Sequence, residues 1–517
     1  MKKLTLLLCF VSFLTKAQNI TVASGKSFTI EKTGAVTMSG NFSNAGTFTL
    51  NSDSNEFSSI IIGGSVTGNI TYNRYVNSVG TNEWDLIGAP VEGQSINSFV
   101  TANTSTLATN GATKAIGYYN NTDNTWTNYT TSTIGGAGNF PLGKGFQMAT
   151  IANGTGILSF TGAPTATNQT WTIIDNDAAN SGAGTRWNLV ANPFPSYIYG
   201  NANADSSHNF LTVNSDKLND SYEAIYGYDA DGSGYTVYNN TSAALRLAPG
   251  QAFMVASDNA ENDTISFTTA MRTTTGGDDL IVGRDPIDSF ELVLKLYEGD
   301  SEIDHTKFYF GDGLSLNLDP GYDAGHFNQG ASLMSRLVDE DEGVGLVINA
   351  MGLESVNDVV APLELNIEAG NNFRISIGTF NIDTAINVYL EDNVQETMTL
   401  LNDQDFELTA ENELSGVGRF FIHLTETLLS IDDKIETNYL NVFKADVNNF
   451  ITVEGLANQW NGTKLRLYTI LGKEVIFTTL NNTNNKQTIS TQGLSTGIYI
   501  VKLESGNILL TKKLFIK

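Results

Sequence analysis

This chain reads as an internal duplication. Trp84-Asp85-Leu86-Ile87-Gly88-Ala89-Pro90 matches Trp187-Asn188-Leu189-Val190-Ala191-Asn192-Pro193. Downstream, Ala115, Ile116, Tyr119, Trp126 and Tyr129 match Ala224, Ile225, Tyr228, Tyr235 and Tyr238 without a gap. Gly143 and Phe146 then match Gly250 and Phe253, and Leu158-Ser159-Phe160-Thr161 matches Ile265-Ser266-Phe267-Thr268. The offset drifts between blocks, so insertions fall in the connections, where loops tolerate them. Apolar residues alternate with polar ones inside each block, the period of a half-buried strand. Two β-modules are therefore expected, at residues 73–170 and 171–277. Composition agrees. Charged residues are only 16% of the 517, with 49 Gly and 9 Pro. Helices draw on Glu, Lys, Arg and Ala for their wet faces, so an all-β, multidomain chain is expected.

Charge divides the chain further. Residues 1–277 carry a net −6, residues 278–430 a net −24, and residues 431–517 a net +3. Such steps mark domain boundaries. The overall −27 argues against nucleic acid as a partner, because phosphates need a basic surface. Residues 1–18 have the layout of a signal peptide: Lys2 and Lys3, an apolar run Leu4 to Leu14, and Ala17 at the cleavage point. The run is too short to span a bilayer, and no transmembrane segment follows. The single cysteine, Cys9, lies inside this leader, so the mature chain has no disulfide or thiol chemistry.

Residues 19–72 repeat a short strand core, Phe28-Thr29-Ile30, Val36-Thr37-Met38 and Phe48-Thr49-Leu50, punctuated by Gly25, Gly34, Gly40 and Gly46. A short β-solenoid or a meander accounts for it, the solenoid being favoured. Residues 278–430 alternate in the same way, as at Leu292, Leu294 and Leu296, and read as an acidic β-sandwich or jelly roll.

Catalytic signatures are missing. There is no HExxH, no GxSxG and no phosphate-binding glycine loop. The histidines are His208, His305, His326 and His423, and the last three are spaced 21 and 97 residues apart, which matches no local zinc pattern. The expectation is that the protein is not an enzyme and needs no cofactor. Calcium is the one metal with a case. Carboxylates cluster at Asp300, Glu302 and Asp304, at Asp319 and Asp323, and at Asp339 to Glu342, and hard cations take six to eight oxygens. Asp229-Ala230-Asp231-Gly232 also resembles the start of a calcium loop, but its counterpart Asn120-Asn121-Thr122-Asp123 makes both hairpin turns first. Tyr118, Tyr119, Tyr226 and the tryptophans offer sugar-stacking faces, although Trp84 and Trp187 recur in register with core strands.

Residues 431–517, after a polar connector from Ser430 to Thr437, hold seven short strand patterns, the count of an Ig-like sandwich. Three features carry a resemblance: Leu471-Gly472-Lys473-Glu474, Leu494-Ser495-Thr496-Gly497-Ile498-Tyr499, and the terminal Lys512-Lys513-Leu514-Phe515-Ile516-Lys517. The segment is similar to the type A C-terminal sorting domain of type IX secretion substrates of Bacteroidota. Where that family carries Pro-Asn-Pro near the first strand, this chain has Phe443-Lys444-Ala445-Asp446. The resemblance implies a sorting signal around Gly472, Gly497, Tyr499, Lys512, Lys513 and Lys517. It also implies export by the type IX machinery, removal of the tail by a sortase-like peptidase, and a secreted or outer-membrane-surface location. Asp263-Thr264-Ile265 and Asp383-Thr384-Ala385 fit the O-glycosylation pattern of the same bacteria. The expected function is a non-enzymatic adhesive or ligand-binding protein of the cell surface, with extracellular glycans or surface proteins as partners. The alternative is a polysaccharide-binding accessory protein or an unrecognised glycan hydrolase.

Overall fold

The structure is a computed structural model. It describes residues 18–79, 84–177, 184–229, 234–258, 262–277, 279, 290–327, 330–382, 385–426, 440–444, 450–459, 462–469, 472–506 and 508–516. Strands make up nearly all of its regular structure. The two α-helices among the described residues, Ile96–Ala102 and Phe210–Asn214, are short. The expected signal peptide, residues 1–18, lies outside the described residues but for Gln18.

The amino-terminal repeat is a parallel solenoid. Ile20–Val22 pairs with Phe42–Asn44 and that with Val66–Thr67; Ser27–Ile30 pairs with Thr47–Asn51; Ala35–Met38 pairs with Ser59–Ile62. All these pairs are parallel, which a meander cannot give. Phe28-Thr29-Ile30 and Val36-Thr37-Met38 are two sides of one coil, and Phe48 stacks on Phe28 from the next, ring centroids 4.9 Å apart. Asparagines ladder up one corner: the Asn41 N–H donates to Asn19 Oδ1 at 2.7 Å and the Ser65 N–H to Asn41 Oδ1 at 2.9 Å. The last strand, Ile70–Tyr75, runs past residue 72 and pairs antiparallel with Ile157–Gly162 of the first module. Solenoid and module thus share a sheet and one apolar core.

Both modules have the same strand order. In the first it is Asp85–Ile87, Phe146–Met148, Thr113–Asn120, Thr125–Thr130. In the second it is Trp187–Ala191, Ala252–Ala256, Ile225–Asp229, Gly234–Tyr238. Each module also uses one asparagine as a clamp. Asn103 Nδ2 donates to the carbonyls of Phe99 and Ser159, and its Oδ1 accepts from the Ser159 N–H at 2.8 Å. Asn214 does the same with Phe210 and Ser266, accepting from the Ser266 N–H at 2.7 Å. The strand Gln169–Ile173 pairs with Asp263–Phe267, so the boundary expected after residue 170 falls inside a strand.

The modules join by a reciprocal exchange. The Gly145 N–H donates to the Leu189 carbonyl at 3.1 Å and the Ala191 N–H to that of Gly143 at 2.9 Å. In the other direction the Gly88 N–H donates to the Gly250 carbonyl at 2.8 Å. The matched glycines Gly143 and Gly250 both have left-handed backbones, φ +85° and +70°, which a side chain would strain. Each corner therefore docks on the opposite module's first strand, as in a two-fold interface.

The acidic block differs in detail from two packed sheets. Its strands hydrogen-bond as a single eleven-stranded sheet, from Thr397–Leu400 at one end to Phe406–Thr409 at the other. A parallel pairing of Ser301–Gly311 with Leu346–Gly352 bridges its halves. Leu292, Leu294 and Leu296 share a core with Val388, Leu390, Ile422 and Leu424, so the twisted sheet curls over on itself to bury both ends. Its Ala324, Val347 and Ile348 also cover a face of the modules, packing with Leu86, Leu189, Tyr226 and Met254. The carboxy-terminal unit has seven strands in sheets of three and four, packed on a core of Val442, Ile451, Val453, Leu465, Leu467, Val501 and Leu503.

Candidate functional site

The expected sorting residues fall on the four-stranded sheet of the terminal sandwich. Gly472 sits at an exposed turn with φ +81°, closed by the Gly472 N–H to the Thr469 carbonyl at 2.8 Å. Gly497 opens the strand Gly497–Ser505 opposite Ile516, and a Cβ there would touch nothing. Tyr499 is buried, and its hydroxyl donates to the Ser495 carbonyl at 2.8 Å. It holds the Leu494-to-Tyr499 run in shape. Lys512 and Lys513 are not presented together. Lys512 and Lys513 alternate across the strand Ile508–Ile516, as neighbours in a strand must. Lys513 is exposed, whereas Lys512 is half-buried and donates from Nζ to the Asp341 carbonyl at 2.7 Å. Lys517, Leu471, the connector from Ser430 to Thr437, and Ala17 at the other terminus lie outside the described residues.

Asp341 belongs to the acidic block, so the sandwich is seated on its neighbour. At the centre of the seat is Arg336, 1% exposed. Its guanidinium pairs with Asp341 at 2.9 Å, with Glu364 at 3.0 Å, and with Glu454 of the terminal sandwich at 3.2 Å. Asn441 Nδ2 donates to the Asp341 carbonyl at 3.1 Å and to its Oδ2 at 2.9 Å. Lys486 closes the cluster on Glu454 at 2.8 Å. The Phe443 ring fills the space over Gly343 where any side chain would overlap it, with Arg336 5.7 Å and Lys486 5.9 Å from its centroid. Phe443 opens the stretch Phe443-Lys444-Ala445-Asp446 where the chain departs from the sorting-domain pattern, and its ring packs at the seat. Burial draws the Lys512 ammonium below its usual pKa, against the carboxylates of Asp341, Glu340 and Glu342.

The other candidates are dispersed. Glu302 and Asp304 take separate partners: Glu302 pairs with Lys295 at 2.6 Å, and Asp304 is buried against His326 Nε2 at 2.8 Å and the Leu333 N–H at 2.9 Å. Asp319 accepts from the Ser315 N–H, and Asp323 from the N–H groups of Asp319 and Ala350. Burial lifts the Asp323 carboxyl to about 7. Among the described residues no three His, Cys, Asp or Glu side chains converge as a metal-holding group. The Asn120–Asp123 segment is a hairpin turn, with Asn124 at φ +55°; of its counterpart Asp229 to Gly232, only Asp229 is described, at the end of the strand Ile225–Asp229. His423 meets Glu391 at 2.8 Å, both buried. His305 stands 3.8 Å from Glu302, and His208 3.4 Å from Asp205.

Trp187 packs edge-on against Tyr222, Tyr226 and Phe327, and Trp84 lies on Ala108, Ala115 and Ala149. Tyr226 is buried and donates to the Gly325 carbonyl at 2.8 Å; Tyr119 shares its hydroxyl with Asn124 and Thr185. Tyr118 stays half-buried beside Tyr129. Of the two O-glycosylation matches, Thr264 is exposed on a strand, and 383–384 lie outside the described residues.

Residues 445–517 match the family described as Secretion system C-terminal sorting domain. Residues 10–423 match a second family, described as Domain of unknown function (DUF8693). The chain belongs to that family. No curated protein matches it. The sorting domain makes the chain a substrate of type IX secretion, secreted to the cell surface or extracellular space, with the secretion machinery as partner. No helix among the described residues is long and apolar enough to cross a membrane.

Sequence reasoning missed the seat and the clamps. Arg336 is one of six basic residues in the acidic block, a scarcity that could have marked it. Ser98-Phe99-Val100-Thr101-Ala102-Asn103 against Asn209-Phe210-Leu211-Thr212-Val213-Asn214 is a gapless repeat that would have found both asparagines.

Proposed function

We propose that residues 19–430 form a non-enzymatic binding body, adhesive or ligand-binding, which the terminal sandwich addresses for export. The observation that carries this reading is the fate of the buried acid–base groups in the acidic block. Asp304 is tied to His326, Glu391 to His423, Asp392 to Arg419 at 2.7 Å, and Asp341 and Glu364 to Arg336. General acid–base catalysis needs a group within reach of substrate, and these side chains face one another across strands. The two like-folded modules, read as an internal duplication, fit a binding surface built twice. The sortase-like peptidase enters this reading as the enzyme that removes the tail.

Half-exposed aromatics on the first module favour one second reading, a polysaccharide-binding accessory protein. Trp126 is 37% exposed, 5.2 Å from Tyr119. Incubating the intact secreted protein with a glycan array and with whole cells tests both. Saturable binding without product supports the proposal. Release of reducing ends from any glycan overturns it in favour of a hydrolase.

A further inference from the structure

Lys144 lies at the joint between the modules, in the Gly143 corner whose backbone docks on Leu189 and Ala191. Its ammonium stands 5.0 Å from the ring centroid of Tyr118, 5.6 Å from Phe146 and 5.8 Å from Trp171. Tyr118 and Phe146 belong to the first module and Trp171 to the strand paired with the second. Among the described residues this ammonium has no carboxylate and no hydrogen-bond acceptor, in a chain with 55 acidic side chains. Burial draws its pKa down with no opposing charge.

The duplication supplies an internal control. The residue after the matched glycine is Lys144 in one module and Gln251 in the other. Gln251 is neutral and buried, and its corner docks by the same kind of backbone bond. The joint therefore needs no cation. Beside Lys144 the half-buried rings of Tyr118 and Tyr129 lie 5.6 Å apart. Their hydroxyls have no protein partner among the described residues. An unneutralised ammonium, two phenols without a protein partner among the described residues and the half-buried ring of Trp171 thus converge.

We infer that Lys144, Tyr118, Tyr129 and Trp171 form a binding site for a carboxylate-bearing sugar of an acidic polysaccharide. The ammonium takes the carboxylate as a charge-assisted pair. The aromatic rings take the sugar's C–H face, and the phenols its hydroxyls. This deepens the ligand-binding reading above and rests on it.

The test is affinity electrophoresis and calorimetry of the full chain with polygalacturonate and with its methyl ester. Wild type should bind the acid and lose at least tenfold in affinity on the ester, a comparison that needs no variant. Lys144→Gln, which copies the other module, should melt like wild type and bind the acid at least tenfold more weakly; Lys144→Arg should keep most of the affinity. Equal binding of acid and ester, or undiminished binding by a folded Lys144→Gln, overturns the site while leaving the broader reading intact. If the array shows other ligands and polygalacturonate does not bind, the site alone falls. If nothing binds on array, cells or polygalacturonate, the broader reading falls with it.

Discussion

Replacing Arg336 with methionine should loosen the terminal sandwich from the body. The substitution keeps an apolar stem of similar length and removes the one cation that Asp341, Glu364 and Glu454 share. Asp341 and Glu454 are 5% and 2% exposed on their side chains, so water cannot replace it. Removing one partner of a buried ion pair costs about 3–5 kcal/mol; Glu454 keeps Lys486, so the charges that lose their cation are those of Asp341 and Glu364. At about 2–4 °C per kcal/mol for a unit of this size, the transition of acidic block plus sandwich should fall by roughly 6–20 °C. Differential scanning calorimetry of the full chain measures it. A cycle with Glu454→Gln adds a second readout. The two changes together should cost less than their sum, by a coupling of about 1–3 kcal/mol. Because the seat is buried, raising the salt should leave the effect in place. A shift under 1 °C, or strict additivity, would refute the reasoning.

Three other expectations follow from the same kind of geometry. Asn103→Ala and Asn214→Ala should each cost about 2–4 kcal/mol in urea unfolding, since each strips a strand serine of its N–H and carbonyl partners; unequal losses would break the equivalence of the clamps. Burial, then the charge of Asp220, raises the Glu223 carboxyl to about 7, so the folded state holds a proton that the unfolded chain releases near 4.5. Stability should therefore fall as pH rises from 4.5 through 7, and Glu223→Gln should gain about 1–2 kcal/mol at pH 8 and nothing at pH 4, by melting curves at both. Gly88→Ala should cost about 1–3 kcal/mol, because its Cβ would overlap Ala191 across the joint; an unchanged melting curve would show that the joint yields.

What the sequence shows and hides follows from the range of each interaction. Phe28-Thr29-Ile30 and its repeats carry a local period, so the coils were legible, and their spacing already favoured a solenoid over a meander. The seven-strand tail was legible for the same reason, with turn glycines such as Gly472 between alternating runs. Lys512 and Lys513 were adjacent in sequence and so looked like one signal, yet a strand sends neighbours to opposite sides. Arg336 and Glu454 are brought together only when two units dock, and no local pattern encodes that. The curling of the acidic sheet was hidden likewise: Leu294 and Leu424 alternate as a sandwich strand would, and it is the parallel pairing, from Lys307 with Ile348 to Gly311 with Gly352, that joins the two halves.

The terminal sandwich is an export address seated on, but separate from, the proposed working body. Fractionating cells that express the chain truncated after Thr437, beside the full-length chain, tests it most directly. Circular dichroism and melting of the purified truncation check that the body stays folded, since Arg336 keeps Asp341 and Glu364. A folded truncation should be held in the periplasm while the full-length chain reaches the surface or medium. A folded truncation secreted as well as the full-length chain would contradict it.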